Sequence, residues 1–295
     1  MNKIHPAPVL GIIGGSGIYE IDGLKNIEWR KVFSSFGNPS DQLLFGTLED
    51  QAIVFLPRHG RGHHLNPSEI NYRANIDSLK RSGVTDIISL SAVGSLREGL
   101  DPGTFVIVDQ FIDRTYARQK SFFSDGIVAH VSMAQPTNIR LRDWCQQACT
   151  NANISVVSNG TYLVMEGPQF STLAESNLYR KWGCDVIGMT NMPEAKLARE
   201  AEIPYCTVAM VTDYDCWHPE HENVEVSTII KVLTENASKA RALIKNVVPR
   251  MKERPLLCPS GDDRSLENAV ITTNEMRNPD TLSKLDVIAG RVLNK

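Results

Sequence analysis

The chain has 295 residues, of which 42% are hydrophobic, and its formal net charge at pH 7 is −3. This composition is typical of a globular protein, and the slightly acidic balance argues against nucleic acid as a partner. No stretch has the apolar core of a signal peptide, and no apolar run approaches the length of a transmembrane helix. The six cysteines form no CxxC pair, so we expect buried thiols in a cytoplasmic protein with no membrane partner.

Short β-rich runs alternate with amphipathic stretches along the chain. Strands are predicted over Val9–Ile13, Leu43–Leu48, Ala52–Leu56, Asp86–Ser91, Phe105–Asp109, Gly160–Met165, Asp185–Met189 and Tyr205–Val211. Helices are predicted over Asn71–Arg81, Thr137–Asn151, Thr172–Lys181, Pro193–Ala201 and Ser227–Met251. Several strand runs are apolar without alternation, which is typical of a sheet covered by helices on both faces. The sequence therefore predicts an α/β fold: a single domain with a central mixed, largely parallel twisted sheet flanked by helices.

The last forty residues differ in character from the rest. From Pro255 the sequence is rich in polar loop residues, and a final helix is predicted over Thr281–Leu293. We expect residues 1–255 to form the α/β domain and residues 256–295 to form an extension. The extension would dock on this domain or on a neighbouring subunit.

A glycine-rich segment, Gly11–Gly17, follows the first apolar run. Glycines let backbone amides approach an anion, and the hydroxyl of Ser16 adds a donor. The segment lacks the dinucleotide-binding pattern, because Glu20 stands where the last glycine is required, and it lacks a P-loop lysine. A phosphate loop and an ordinary tight turn both explain this segment.

Arg58 and His59 follow the predicted strand Ala52–Leu56. The donors of an arginine match phosphate oxygens, and an adjacent histidine can donate as well. A basic surface turn is the alternative reading. His59, His63 and His64 have no acid nearby in sequence, so we predict no metal site here.

Two acids, Asp213 and Asp215, directly follow the apolar run Tyr205–Val211. Two residues apart in an extended segment, their side chains would point roughly the same way. A buried carboxyl is costly unless it is paired or protonated, and a protonated carboxyl can donate a hydrogen bond. The pair could therefore bind a ring nitrogen and an exocyclic amine of a purine, although a solvated acidic loop explains the same residues.

Three further segments have small or polar side chains at predicted strand ends. They are the small-residue loop Ser91–Ser95, the segment Met165–Ser171, in which Phe170 could stack on a base, and Gly188–Thr190. In an open α/β sheet, ligands bind at the carboxyl ends of strands. The sequence therefore predicts one site for phosphate, sugar and base, built from Ser16, Arg58, His59, Ser91, Thr190, Asp213 and Asp215.

Several long motifs resemble those of the purine nucleoside phosphorylase superfamily, specifically the S-methyl-5′-thioadenosine phosphorylases. They are GIIGGSGIY, PRHGRGH, NYRANI, SAVGSLRE, GTFVIVDQFIDRT, MEGPQFSTLAES, IGMTNMPEAKLARE and VTDYDCWH. The resemblance implies a pentosyltransferase of methionine and purine salvage. It would cleave methylthioadenosine with inorganic phosphate to adenine and 5-methylthio-α-D-ribose 1-phosphate. It also implies that no metal or organic cofactor is needed and that the enzyme is a homotrimer or a dimer of trimers.

The resemblance assigns roles to individual positions. Phosphate would be bound by Ser16, Arg58, His59, Ser91, the amide of Ala92, and Thr190. The ribose and base would contact Met189, Phe170 and Ser171, with Asp213 and Asp215 facing purine N7 and N6 as catalytic residues beside His59. The 5′-methylthio pocket would use Val226, Ile229 or Ile230, and His130 of the partner subunit. At Gly188 some relatives carry asparagine, and we expect a local change in sugar contacts there.

Other functions fit the sequence less well. A phosphorylase for adenosine, inosine or methylthioinosine would share the phosphate residues, but a carboxylate facing a 6-oxopurine carbonyl would repel it. A nucleoside hydrolase leaves the anion-binding residues unexplained. A non-catalytic nucleoside-binding protein would not need Arg58 and His59. The sequence therefore favours a phosphorylase of 6-aminopurine nucleosides.

Overall fold

The computed structural model describes residues 7–15, 18–219 and 226–293, and of residues 226–230 it describes the backbone alone. The strands are β1 (Leu10–Gly14), β2 (Lys25–Arg30), β3 (Leu43–Leu48), β4 (Gln51–Pro57), β5 (Asp86–Ser95), β6 (Phe105–Val108), β7 (Gln110–Asp113), β8 (Val156–Ser158), β9 (Thr161–Val164), β10 (Val186–Gly188) and β11 (Tyr205–Asp213). The helices are α1 (Tyr72–Arg81), α2 (Ile139–Asn151), α3 (Leu173–Lys181), α4 (Asn191–Glu200), α5 (Val226–Val247), α6 (Pro279–Lys284) and α7 (Asp286–Leu293). None of the helices in these ranges is long and apolar enough to cross a bilayer.

The strands form one mixed sheet. Its main path runs β2-β3-β4-β1-β5-β10-β9-β7, while β11 pairs with β5 and β6, and β6 pairs with β8. Six strand pairs are parallel, namely β1 with β4 and β5, β9 with β7 and β10, β11 with β5, and β6 with β8. Four are antiparallel. The predicted mixed, largely parallel sheet is therefore confirmed.

Helices cover both faces of the sheet, which explains why its central strands are apolar throughout. On one face, α2 and α5 contribute residues such as Leu141 and Leu243 to a buried cluster. On the other, α1, α4 and α7 contribute residues such as Ile76 and Leu197. Each fully buried aliphatic side chain contributes roughly 1.5–3 kcal/mol relative to leaving it exposed, so the sheet is held from both sides.

The sheet opens beside β5. On one side of β5, β1 pairs with Asp86–Ser89, and β10 pairs with Gly94 and Ser95. The residues between them, Leu90–Val93, lie past the end of β1 and before the pairing with β10; we call this stretch the β5 gap. On the opposite side, β11 pairs with β5 from Ile87 to Gly94. The gap is therefore an opening in an otherwise continuous sheet.

Some predicted boundaries were wrong. Ser91–Ser95 is not a loop but the end of β5, because β11 and β10 supply strand partners there. The helix predicted to Met251 ends at Val247 and continues as a 3₁₀ turn, Val248–Glu253, which contains Pro249. The last predicted helix is two helices, α6 and α7. Strands β2, β7 and β8 were not predicted; β2 is largely exposed and lacks the apolar run of a buried strand.

The C-terminal extension packs on its own chain. Leu285 and Ile288 lie in the same buried cluster as the sheet residues. Arg291 Nη2 lies 2.6 Å from Glu202 Oε1, and Asp286 pairs with Arg81. A single β-bridge joins Val270 to Ala129. The extension is thus tied to the α/β domain by apolar packing, ion pairs and backbone hydrogen bonding.

Candidate active site

The loops that follow β1 and β4 begin side by side. Gly14 pairs with Pro57 at the end of the two parallel strands, and the Arg58 amide donates to the Gly14 carbonyl oxygen at 3.0 Å. This register brings Gly15 next to the Arg58–His59 segment. Ser16, predicted to bind phosphate, lies outside the described residues.

Arg58 is held in a buried ion pair. Its side chain is 3% exposed, and its Nε and Nη2 donate to the Glu194 carboxylate at 2.8 and 3.2 Å. Nη1 donates to the Leu90 carbonyl oxygen at 3.0 Å and Nη2 to Ser89 Oγ at 2.6 Å. Burial would lower the pKa of Arg58, but Glu194 raises it above its usual range. Within the described residues these bonds use four of the five guanidinium N–H groups, and one on Nη1 remains for a ligand.

Glu194, the carboxylate partner of Arg58, is itself held by a network of hydrogen bonds. Glu194 is 1% exposed, and its carboxylate accepts from Ser89 Oγ at 2.6 Å and from Tyr205 Oη at 2.8 Å. Asn191 Nδ2 donates to Ser89 Oγ and to Tyr205 Oη. The guanidinium position is therefore set by buried hydrogen bonds rather than by a surface turn.

His59 is a neutral acceptor at pH 7. Burial lowers the pKa of its imidazole to about 4, and the neighbouring Arg58 charge contributes in the same direction. Nδ1 lies 2.9 Å from the Leu65 carbonyl oxygen, so the single proton of the neutral ring is on Nδ1. The remaining nitrogen, Nε2, can then accept a hydrogen bond. The sequence suggested a histidine donor to phosphate, and the neutral ring offers an acceptor instead.

The β5 gap presents backbone and hydroxyl donors. The Ile87 amide donates to the Pro204 carbonyl oxygen at the start of β11, and amides alternate in direction along a strand, so the Ala92 amide points into the gap. Ser91 Oγ lies 3.0 Å from Tyr162 Oη. Thr190 precedes α4, and its hydroxyl makes no capping bond to the helix. Antiparallel pairing of β10 with β5 brings Thr190 towards Ser91.

The two acids come together differently from the sequence prediction. β11 ends at Asp213, and Asp215 has a left-handed backbone with φ of 53°, so the segment is not extended between them. Asp tolerates this conformation better than most residues because its side chain is short and polar. The turn directs the Asp215 amide onto Asp213 Oδ1 at 2.8 Å, while the Thr212 hydroxyl donates to Asp213 Oδ2 at 2.6 Å.

Both carboxyls are shifted towards protonation. Burial raises the pKa of Asp213, and the Asp215 charge raises it further, against the lowering effect of the Thr212 hydroxyl and the Asp215 amide. Burial also raises the pKa of Asp215, opposed by the hydroxyls of Ser171 and Ser176. A buried acid pair of this kind can hold a proton above the usual range of aspartate.

Gly94 lets the acid pair approach β5. A Cβ at this position would lie 2.9 Å from Asp213 Oδ1 and 3.3 Å from Asp215 Cβ. Gly94 is in the strand and close to both acids, so its lack of a side chain is what permits the contact. Gly94 stands directly after the β5 gap, so the acid pair lies next to the hydrogen-bond donors of the gap.

The segment before α3 and the end of β10 carry the predicted base and ribose residues. Phe170 is 51% exposed, and the Ser171 carbonyl oxygen accepts from Cys216 Sγ at 3.4 Å. Met189 packs against Gly167, where a Cβ would lie 2.4 Å from the Met189 sulfur and φ is +68°. Of the predicted base and ribose residues, Ser171 therefore lies beside Asp215.

The space around position 188 explains why this residue is a glycine. A Cβ on Gly188 would lie only 2.0 Å from Tyr162 Oη. The tyrosine occupies the space where a side chain at position 188 would begin. The glycine at position 188, where some relatives carry asparagine, is thus coupled to Tyr162, which the sequence did not indicate.

The predicted 5′ pocket is not assembled by the described residues of one chain. His130 is exposed, and its amide donates to the Ala269 carbonyl oxygen of the extension at 2.9 Å. The side chains of Val226, Ile229 and Ile230 lie outside the described residues. His59 and His63 stack with ring centroids 4.1 Å apart, and in the described ranges no three His, Cys, Asp or Glu side chains cluster as metal ligands would.

Sequence reasoning missed the residues that support this site. Glu194 and Tyr162 are internal to the fold, and neither adjoins a glycine-rich or basic segment that would have drawn attention to it. A hint for Glu194 lay in its position: it is an acid in the first turn of a helix that follows Thr190. The contacts of Tyr162 depend on strand pairing, which the sequence does not specify.

The sheet, with polar side chains gathered at its strand ends, is typical of α/β proteins that bind ligands at that edge. A family model described as "Phosphorylase superfamily" matches residues 9–249. S-methyl-5′-thioadenosine phosphorylase of Rhodospirillum rubrum is 62% identical over 293 residues, which cover 99% of this chain and 100% of that protein. The enzyme of the same name from Cereibacter sphaeroides is 58% identical, covering 97% of this chain and 98% of that protein.

Solved structures give the same result. A methylthioadenosine phosphorylase sourced from an Antarctic soil metagenomic library superposes with a TM-score of 0.91 at 45% identity, covering 96% of this chain and 99% of that one. Methylthioadenosine phosphorylase from Schistosoma mansoni in complex with adenine gives 0.80 at 38% identity, covering 84% and 93%. The chain therefore belongs to the phosphorylase superfamily, in the family of the S-methyl-5′-thioadenosine phosphorylases.

Proposed function

We propose that the protein cleaves S-methyl-5′-thioadenosine with inorganic phosphate, releasing adenine and 5-methylthio-α-D-ribose 1-phosphate. The observation that carries this proposal is the 62% identity to the Rhodospirillum rubrum enzyme of that activity over nearly the whole of both chains. The donors at the β5 gap beside a buried acid pair are consistent with it.

Phosphate binds at the β5 gap. Its ligands are Ser16, Arg58, His59, Ser91, the amide of Ala92, and Thr190. The free N–H on Arg58 Nη1 and the hydroxyls donate to the charged oxygens. His59 Nε2, as an acceptor, takes the hydrogen of a hydrogen phosphate ion and so fixes which oxygens face the sugar. The bound anion stabilises the positive charge that develops on the sugar and supplies the nucleophile.

The acid pair acts on the leaving base. As the bond from C1′ to N9 breaks, adenine gains negative charge, which a proton at N7 relieves. Asp213, protonated in its buried position, donates to N7, and Asp215 accepts from the exocyclic N6. Phe170 and Ser171 contact the base, and Met189 lies under the ribose. Neither a metal nor an organic cofactor takes part in these steps.

Assembly completes the 5′ end of the site. The methylthio group lies against Val226, Ile229 and Ile230, and His130 of the partner subunit closes the pocket in a homotrimer or a dimer of trimers. Residues 1–255 act as the catalytic domain and 256–295 as its docked extension. We place the enzyme in the cytoplasm, in methionine and purine salvage; its six free thiols suit a reducing compartment.

The test is a substrate panel of methylthioadenosine, adenosine, inosine and methylthioinosine, each with and without phosphate. We expect rapid adenine release from methylthioadenosine only when phosphate is present. Equal release without phosphate would instead indicate a hydrolase. No turnover of any nucleoside, with nucleoside binding retained, would indicate a binding protein.

Adenosine is a second candidate substrate. A neighbour from Schistosoma mansoni is described as an adenosine/methylthioadenosine phosphorylase, at 37% identity and a TM-score of 0.80. An Ile229→Ser variant tests how the protein discriminates between methylthioadenosine and adenosine. If Ile229 lines the methylthio pocket, KM for methylthioadenosine rises more than KM for adenosine; equal changes would contradict the assignment.

A further inference from the structure

Tyr162 is a buried residue with no role in the steps above, yet its hydroxyl lies among the phosphate residues. It is fully buried in β9, and its side chain extends along the adjoining strand β10. Its Oη is 3.0 Å from Ser91 Oγ and lies where a Cβ on Gly188 would be. Burial raises the pKa of the Tyr162 phenol, and the backbone amide of Thr190 opposes that rise. The Tyr162 hydroxyl therefore lies against residues of both β5 and β10.

The chemistry of the two hydroxyls indicates the direction of the hydrogen bond between them. A phenol is a stronger donor and a weaker acceptor than a serine hydroxyl, and the effect of the Thr190 amide on the pKa of the phenol favours donation in the same way. Burial raises the pKa of Tyr162, so the phenol keeps its proton at neutral pH. Tyr162 Oη–H therefore donates to Ser91 Oγ.

This direction determines what Ser91 offers a ligand. With its oxygen accepting from Tyr162, the serine keeps its own hydrogen as a donor; its acceptor in this structure is the Ala92 carbonyl oxygen at 3.4 Å, a long contact that a phosphate oxygen in the gap can replace. If the bond ran the other way, Ser91 would present only lone pairs to an anion.

We propose that Tyr162 is a positioning residue for phosphate, which orients the Ser91 hydroxyl hydrogen toward the anion and occupies the side-chain space of position 188. The proposal rests on the proposed function, because it assigns phosphate to the β5 gap. It also explains why Gly188 is a glycine in this chain: the phenol fills the position from which another side chain would extend.

The test is a double-mutant cycle of Tyr162→Phe and Ser91→Ala with phosphate kinetics as the readout. Loss of one hydrogen bond that supports a charged ligand gives roughly a tenfold rise in KM for phosphate in Tyr162→Phe. KM for methylthioadenosine should change by less than about twofold. In the Ser91→Ala background, adding Tyr162→Phe should have little further effect on KM for phosphate, because the tyrosine acts through the serine.

Several results would overturn the proposal. One is an unchanged KM for phosphate in Tyr162→Phe; another is the same increase whether or not Ser91 is present, which would indicate a merely structural tyrosine. A matched control is Tyr72→Phe, since Tyr72 is also a buried tyrosine but its hydroxyl donates to Pro67 O at 2.8 Å and accepts from Arg118 Nη1. This control should leave KM for phosphate within about twofold of the wild type.

A binding measurement separates this proposal from the proposed function. Inorganic phosphate added to the wild-type protein without nucleoside should raise Tm, since a ligand that binds only the folded state stabilises it. Tyr162→Phe should need roughly tenfold more phosphate for the same rise. If the wild type cleaves methylthioadenosine and the two proteins respond equally to phosphate, the tyrosine proposal is wrong and the function stands. If the wild type neither binds phosphate nor uses it, both are wrong.

Discussion

The proposed site has a phosphate end, at Arg58 and the β5 gap, and a base end, at Asp213 and Asp215, and the two are built differently. At the phosphate end, Arg58 and Glu194 form an ion pair deep in the fold, held by side chains that are themselves buried. At the base end, Phe170 is half exposed, and Asp215 is beyond the strand end in a left-handed turn. A fixed array of donors is efficient for a charge common to every turnover. Loop residues suit the base and sugar contacts that decide which nucleoside is accepted.

Replacing Glu194 with glutamine should have the largest effect, because the phosphate end depends on internal charge balance. The guanidinium of Arg58 would be left buried without its counter-ion, which typically costs about 3–5 kcal/mol in the free energy of unfolding. Urea denaturation measures this loss. Glu98→Gln is the control, since that acid is 69% exposed and should change stability by less than about 0.5 kcal/mol. A Glu194→Gln variant as stable as the wild type would contradict the internal role of the pair.

Glu200 is a second buried acid on α4, and it makes the stability of the protein depend on pH. Its carboxylate accepts from the Phe122 amide and the Ser121 hydroxyl, both at 2.7 Å, and burial raises its pKa from 4.5 to about 7. Below pH 4.5 the acid is protonated in both the folded and the unfolded chain. As pH rises to 7 the folded state holds a proton that the unfolded chain has released, so stability falls, by up to about 3 kcal/mol, and levels off above pH 7.

Glu200→Gln should remove this part of the pH dependence, since glutamine resembles the protonated acid. We expect its free energy of unfolding to exceed that of the wild type at pH 8 and to match it near pH 4. Denaturant titrations of both proteins across this range are the measurement. Parallel stability curves for the two proteins would show that Glu200 does not titrate in this way.

At the base end, Asp213→Asn should reduce turnover of methylthioadenosine by roughly 10²-fold or more, the usual contribution of a general acid. The amide should partly rescue the use of a 6-oxopurine nucleoside, because it can donate to a base carbonyl. KM for phosphate should change little, since the two ends are built separately. Full activity of this variant on methylthioadenosine would rule out Asp213 as the acid.

Gly94→Ala should give the smallest of these effects and confine it to the base end. The added methyl would lie 2.9 Å from Asp213 Oδ1 and 3.2 Å from Ile187 Cγ2, so the acid pair must shift. Overpacking of this kind costs about 1–3 kcal/mol, which we expect as a loss of roughly tenfold in kcat/KM for methylthioadenosine. A rise of roughly tenfold in KM for phosphate as well would show that the phosphate and base ends are more tightly coupled than their contacts suggest.

The sequence predicted the central sheet and most of the residues at its strand ends. Apolar runs such as Leu43–Leu48 matched a strand because burial on both faces leaves a clear signal. The polar edge strand β2 left no such signal. Ser91–Ser95 was misread as a loop because small residues resemble a turn when the flanking partners β10 and β11 are unknown.

The residues that hold Arg58 and Ser91 in place were harder to predict than the positions of Arg58 and Ser91 themselves. Arg58 was singled out, but its partner Glu194 lies 136 positions away in sequence. Tyr162 contacts Ser91 across 71 positions. Such pairs result from long-range packing, so no local motif specifies them. The same holds for the neutral state of His59, because the burial that lowers the pKa of its imidazole, against the effect of the Leu65 carbonyl oxygen, depends on the fold; the adjacent Arg58 charge adds to the lowering.

The most direct test of phosphorolysis follows radiolabelled inorganic phosphate during turnover of methylthioadenosine. The proposal that phosphate bound at the β5 gap attacks C1′ predicts one label in a methylthiopentose 1-phosphate for each adenine released. No label in the sugar product, with free methylthioribose formed at the same rate when phosphate is omitted, would contradict it.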